Sequence, residues 1–198
     1  MSVVGQAAAA LERGEVVVLP TDTVYGLAVR ADSEDALRRL YEAKGRASGV
    51  PSAVVAASVD ALVDLVPELR ATAGKLLHGL LPGAYTLVVS NPARRLAWLN
   101  PDRPEALGVR VPAVTGAGLE VLTAAGPVVA TSANLPGGPD PVRIADVPCE
   151  ILERVAVIVD GGALPGVPST VVDFTTHPPT VLREGAGDIA AALALARP

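Results

Sequence analysis

Five segments of the chain place hydroxyl, amide or cationic side chains directly after a short apolar run. In the first, Thr21, Asp22, Thr23 and Tyr25 follow Val16 to Leu19, a run that Pro20 ends. Two hydroxyls, a carboxylate and a phenol suit a small hydroxylated or amine-bearing ligand, and they also suit an ordinary turn. In the second, Lys44 and Arg46 flank Gly45 just after a helical pattern. These cations can converge on a phosphate or carboxylate, with the guanidinium binding in bidentate fashion. Alternatively they complement the dipole of the helix that they close.

The third segment sets Arg110 inside the apolar run Leu107 to Val111. A half-buried guanidinium left unpaired is costly, so Arg110 needs a carboxylate from the protein or an anion from a ligand. The fourth puts Ser132 and Asn134 after Val128 to Ala130, offering a hydroxyl and an amide to a base or phosphate, or simply forming a turn. The fifth, Gly166 to Arg183, again ends strand-like runs in a hydroxyl, Ser169, and a guanidinium, Arg183. Together the five describe a cleft lined by Lys44, Arg46, Arg110 and Arg183.

The elements that must position these groups alternate along the chain. Strand-like runs cover Val16–Leu19, Leu27–Val29, Ala53–Ala57, Tyr85–Val89, Gly108–Val111, Val128–Thr131, Val155–Val159, Thr170–Phe174 and Thr180–Leu182. Helical patterns cover Ala7–Arg13, Ser33 to about Ala43, a short stretch after Ser58, Pro67 to about Leu81, Ala117–Ala124 and Glu150–Arg154, with a terminal helix after Asp188. Ser33 and Ser58 have the residue type that caps a helix N-terminus. Strand spacing is too irregular for a simple doubly wound sheet, which predicts a mixed α/β fold, a mixed sheet with helices on its faces. No linker divides the chain, so residues 1–198 are expected to form one domain.

Composition bounds the function. The 198 residues include 19 Gly and 18 Pro, a turn-rich content, yet half are hydrophobic and aromatics are 3%. The core must therefore be built from Val, Leu, Ile and Ala. A net charge of −5 argues against gripping a long nucleic acid and favours a small polyanion. Cys149 is the only cysteine, so no intrachain disulfide forms, and it is expected to be partly buried. The two histidines, His78 and His177, stand at no metal-ligand spacing and read as structural or solvated; no metal site is expected. The most apolar stretch is interrupted by Asp60 and Asp64 and cannot span a bilayer. With no signal-peptide pattern at the N-terminus, a cytoplasmic protein is expected.

In order along the chain, these segments resemble the YrdC family, whose members include the threonylcarbamoyl-AMP synthases. The resemblance rests on PTDTVYGL at 20–27, the KxR pair of Lys44 and Arg46, Pro82-Gly83 with Thr86, and GVRVP at 108–112. It continues with the SxN of Ser132 and Asn134, STVVD at 169–173 and LREGA at 182–186.

The resemblance implies a YrdC/RibB-like fold, a twisted mixed sheet with flanking helices around a concave, positively charged cavity. It implies formation of threonylcarbamoyl-AMP and pyrophosphate from L-threonine, bicarbonate and ATP. A threonylcarbamoyl transferase partner then carries the group to adenosine 37 of tRNA, with weak contact to tRNA itself compatible. By the same resemblance Thr21, Thr23, Tyr25, Arg110 and Ser169 serve threonine. Lys44, Arg46, Ser132, Asn134 and Arg183 serve ATP, with Lys44 and Arg46 as the catalytic cations and Mg²⁺ entering with ATP.

The chain departs from the family pattern after the KxR pair. Ala47, Val50, Pro51 and Ser52 fill most of a stretch that commonly reads Pro, Asn, Pro, Leu, and Val55 stands where a His is expected. Pro82-Gly83-Ala84 lacks the usual second proline. A valine cannot hydrogen-bond substrate, so two other readings stay open. One is a paralogous enzyme adenylating another carbamoyl or carboxylate substrate. The other is a non-catalytic module binding double-stranded RNA or tRNA. The chain is also expected to carry the catalytic domain alone, without the further C-terminal domain of longer members.

Overall fold

The computed structural model describes residues 1–47 and 49–196. Among them, nine strands form one mixed sheet. In chain order they are β1 Val17–Pro20, β2 Tyr25–Arg30, β3 Ala53–Val55, β4 Tyr85–Ser90, β5 Ala106–Arg110, β6 Val128–Ser132, β7 Val157–Ile158, β8 Thr170–Asp173 and β9 Thr180–Arg183. Their order across the sheet is β7-β1-β2-β6-β3-β5-β4-β8-β9. Three pairings, β1 with β7, β3 with β5 and β4 with β8, are parallel, and the others are antiparallel.

The helices are α1 Val3–Glu12, α2 Glu34–Lys44, α3 Val59–Leu65, α4 Leu69–Thr72, α5 Gly74–Leu80, α6 Gly116–Ala125, α7 Cys149–Leu152 and α8 Ile189–Ala194. Ser33 and Ser58 cap α2 and α3 as their type predicts, accepting from Ala36 N and Ala61 N. Asp188 caps α8 through Ala190 N and Ala191 N. The helix expected from Pro67 to Leu81 is instead two. Ala73, which is buried, leaves the helical region at φ −141°, between Thr72 and Gly74, two residues of low helix propensity.

The core follows from the period-2 alternation of strands with two buried faces. Val16 and Val18 join the larger apolar cluster with Leu27, Val29, Val54, Leu87, Val109 and residues of α2 to α5. Val17 and Leu19 point the other way, to a smaller cluster with Ala10 and Leu11 of α1 and Val121 and Leu122 of α6. On this second face α1 and α6 cover β1 and β2. The alternate residues of β3, β4, β5 and β8, among them Val55, Val88, Gly108 and Val171, line a cavity instead. The concavity expected around the sheet is thus the uncovered half of one face.

Cys149 differs from its expectation. It is exposed at the start of α7, where Ile151 is the residue turned into the core. Both histidines are exposed, as expected.

Candidate active site

The cavity has a volume of about 280 Å³ and its floor is apolar and small. Register sets that floor: Val55 lies beside Arg110, Ala53 beside Gly108, and Val88 on the other side of Gly108. A Cβ at Gly108 would stand 3.2 Å from Ala53 Cβ, so a side chain there would push into the floor.

Three guanidinium groups from distant segments, Arg46, Arg110 and Arg183, line this one space. Arg46 follows α2 because Gly45 ends that helix with a left-handed residue at φ 64°. Its Nη1 donates to Thr131 Oγ1 and its Nη2 to Pro51 O, each at 3.2 Å, while the group lies 5.7 Å over the Tyr41 ring. Arg183 Nε donates to Ser169 O and its Nη2 to Ser169 Oγ, both at 3.0 Å. Burial lowers the pKa of both groups; near Arg183, Asp140 opposes the shift and Arg110 adds to it. Desolvated cations of this kind gain by meeting an oxyanion.

Arg110 has its required partner within the protein. Nη2 donates to Asp22 Oδ1 and, at 2.9 Å, to Thr23 Oγ1. Its Nε is buried without a hydrogen-bond partner. The Thr21 hydroxyl organises the turn that carries Asp22, donating to Val24 O at 2.8 Å and accepting from Thr23 N at 3.2 Å. Thr21 lines the cavity, whereas buried Thr23 reaches it only through Arg110.

Lys44 stands behind the wall and not in it. Its ammonium donates to Ser132 O at 2.5 Å, Asn134 O at 2.7 Å and Asn134 Oδ1 at 2.7 Å, using all three N–H groups. Burial first, then the charge of Arg46, pushes its pKa down to about 8. Ser132, also bonded to Asn134 Oδ1 at 2.6 Å, lines the cavity; Asn134 is buried and ties the loop through Gly138 O at 2.6 Å. The cation predicted to touch a ligand is placed as the girder of the Ser132–Asn134 turn.

Tyr25 is likewise outside the lining. Its phenol accepts from Gly161 N at 2.9 Å and faces Asp160 Oδ1 and Gly162 O, each at 2.8 Å, so it fixes the loop after β7. Ser169 does line the cavity, with its hydroxyl 2.9 Å from Thr86 Oγ1. Ser52, Thr86, Asn100, Thr131 and Asp140 complete the polar lining and carried no ligand role in the sequence reading. For Thr86 the signal was present, since strand alternation sets it on the face of Val88. Asn100 and Asp140 sit in irregular segments that no periodicity addresses.

The arrangement can neutralise several negative charges and orient a small acid by hydrogen bonds. It offers no histidine, cysteine or catalytic triad at the cavity wall among the described residues.

Comparison with known proteins agrees with this geometry. The Sua5/YciO/YrdC family, described as "Telomere recombination", matches residues 9–185. The Threonylcarbamoyl-AMP synthase of Bacillus subtilis is 38% identical over 198 aligned positions, covering 92% of this chain and 53% of that protein. A crystal structure of Pyrococcus abyssi Sua5 complexed with L-threonine superposes with a TM-score of 0.80 at 34% identity, covering 92% of this chain and 54% of that one. Escherichia coli YciO superposes at 0.78 with 26% identity, covering 96% of this chain and 92% of its own. The chain spans about half the length of the B. subtilis and P. abyssi relatives. A mixed sheet in this order, a cavity on its uncovered face and a match along most of the sequence lead to one conclusion: the chain belongs to the Sua5/YciO/YrdC family.

Proposed function

We propose that the chain makes threonylcarbamoyl-AMP and pyrophosphate from L-threonine, bicarbonate and ATP, as a nucleotidyltransferase. The observation that carries this reading is the convergence of Arg46, Arg110 and Arg183 on one cavity beside Ser132 and Ser169. The relatives' names supply the product, threonylcarbamoyl-AMP, and one ligand, L-threonine.

The reaction joins the threonine amine to the carbon of bicarbonate with loss of water. A carbamate oxygen then attacks the α-phosphorus of ATP, and pyrophosphate leaves. Anions meet in both steps, so the residues act by positioning and charge neutralisation and not as nucleophiles. Arg110, pinned by Asp22 and Thr23, takes the amino-acid carboxylate, with Thr21 and Ser169 at its sides. Arg46 and Arg183 take the phosphates. Ser132 orients the nucleotide from a turn that Lys44 and Asn134 hold rigid. Thr23 and Tyr25 act one step back, through Arg110 and through the loop at Gly161.

Mg²⁺ would enter with ATP and draw charge from the phosphates. Among the described residues no three His, Cys, Asp or Glu side chains gather to hold a metal by themselves. The cavity does carry one carboxylate, which fits an ion held mainly by phosphate oxygens. The product would pass to a threonylcarbamoyl transferase acting on tRNA adenosine 37, in the cytoplasm, and no helix among the described residues is long and apolar enough to cross a membrane.

A second reading, a paralogous enzyme adenylating a different carbamoyl or carboxylate substrate, is favoured by one observation. Val55 presents an apolar side chain to the cavity directly beside Arg110. One experiment separates the two: pyrophosphate release from ATP and bicarbonate with each amino acid in turn. The synthase reading expects a threonine-dependent rate, and its absence overturns that reading.

A further inference from the structure

The cavity wall carries one carboxylate among the described residues, that of Asp140. It makes no hydrogen bond or ion pair among those residues, in a chain where Asp22, Asp32 and Asp173 are all paired with arginine. Its backbone is closely held. Pro139 and Pro141 flank it and restrict the chain on both sides. Asn134 Nδ2 ties Gly138 O at 2.6 Å on one side, and Tyr25 N donates to Pro141 O at 2.9 Å on the other. The carboxylate is therefore presented to the cavity by a fixed loop. It shares the cavity wall with Ser132, Ser169 and Arg183, and its charge raises the pKa of Lys44 and Arg183 against the effect of their burial.

Once phosphates occupy a space that gathers guanidinium groups, a carboxylate on the same wall faces like charge, which repels most strongly where water is scarce. A divalent cation lying between carboxylate and phosphate reverses that sign. Mg²⁺ in nucleotide sites is commonly held by one or two carboxylates plus phosphate oxygens. We propose that Asp140 is the protein ligand for the divalent cation that accompanies the nucleotide triphosphate. The assignment rests on the synthase reading only in requiring a bound triphosphate.

The test titrates Mn²⁺ into the full chain loaded with α,β-methylene-ATP and reads free Mn²⁺ by electron paramagnetic resonance. Asp140→Asn is expected to weaken Mn²⁺ binding at least tenfold, with Asp140→Glu retaining part of the affinity. Nucleotide binding in EDTA is expected to be unchanged or tighter in Asp140→Asn, because a repelling charge has gone. Equal Mn²⁺ affinity in wild type and Asp140→Asn overturns the assignment. So does an equal loss of nucleotide affinity with and without metal, which marks a role in the fold. A rise in the KM for the amino acid with Mn²⁺ binding intact also overturns it and makes Asp140 the partner of a substrate ammonium. If wild type binds no nucleotide under either condition, the synthase reading falls, and this assignment with it.

Discussion

Asp22 holds Arg110 from the side away from the cavity, with one carboxylate oxygen on Nη2 and the other accepting from Ala113 N at 2.9 Å. Both side chains are nearly buried, 9% and 11% exposed. The pair answers the question posed by an arginine inside an apolar strand: the protein supplies the first anion, and the rest of the guanidinium is left for a second.

Removing Asp22 should therefore be felt twice. Asp22→Ala leaves a buried guanidinium without its partner, a change that costs about 3 kcal/mol in comparable pairs. Urea denaturation should show that loss. The KM for the amino acid should rise at least tenfold while the KM for ATP stays within about twofold. A uniform rise in both would show that Arg110 does not face the amino acid.

Arg46→Ala tests the phosphate side. It should reduce kcat/KM for pyrophosphate release at least thirtyfold, which is about 2 kcal/mol of transition-state stabilisation. An unchanged rate removes Arg46 from the machinery.

Lys44 titrates at about 8 in the folded chain, below its ordinary 10.5, because burial disfavours its charge. Between those two values the unfolded chain binds a proton that the folded chain does not. Stability from this residue therefore rises with pH across that window, by up to about 1.4 kcal/mol per unit. Below pH 8 both states are protonated and the slope vanishes. Urea midpoints of wild type and Lys44→Met at pH 7, 9 and 10 should show the wild type gaining on the variant only above 8. Parallel curves would place the lysine in a more hydrated setting.

Tyr25→Phe separates a loop anchor from a ligand contact. The substitution removes the acceptor of Gly161 N, a partly buried hydrogen bond of a kind that contributes about 0.5 to 1.5 kcal/mol. Thermal or urea unfolding should register it, with the KM for the amino acid unchanged within about twofold. A large KM effect at unchanged stability would bring the phenol into the cavity.

Much of this fold was legible because its strands are apolar runs stopped by Pro or Gly and its helices start at Ser33, Ser58 and Asp188. Local chemistry decides both features. The break at Ala73 carried a signal that was passed over, since Thr72 and Gly74 beside it are poor helix formers. In the site, sequence reading identified the cations but not their orientation. Lys44 and Arg46 are two residues apart and look equivalent on paper. Only the Ser132–Asn134 turn, 88 to 90 residues away, shows that one faces inward and the other faces the cavity. Asp140 gave no signal because its meaning depends on lining one cavity with Arg183, a relation created by the fold and not by sequence spacing.

That order has a consequence for how the protein is made. The cavity is closed by Thr21 and Gly26 near the start of the chain and by Ser169 and Arg183 near its end. Pairings of such high sequence separation form late and slowly. On the ribosome the full lining of the pocket cannot assemble until β8 and β9, which bring Ser169 and Arg183, have emerged. A bound nucleotide would therefore stabilise only molecules in which β8 and β9 are docked against β4.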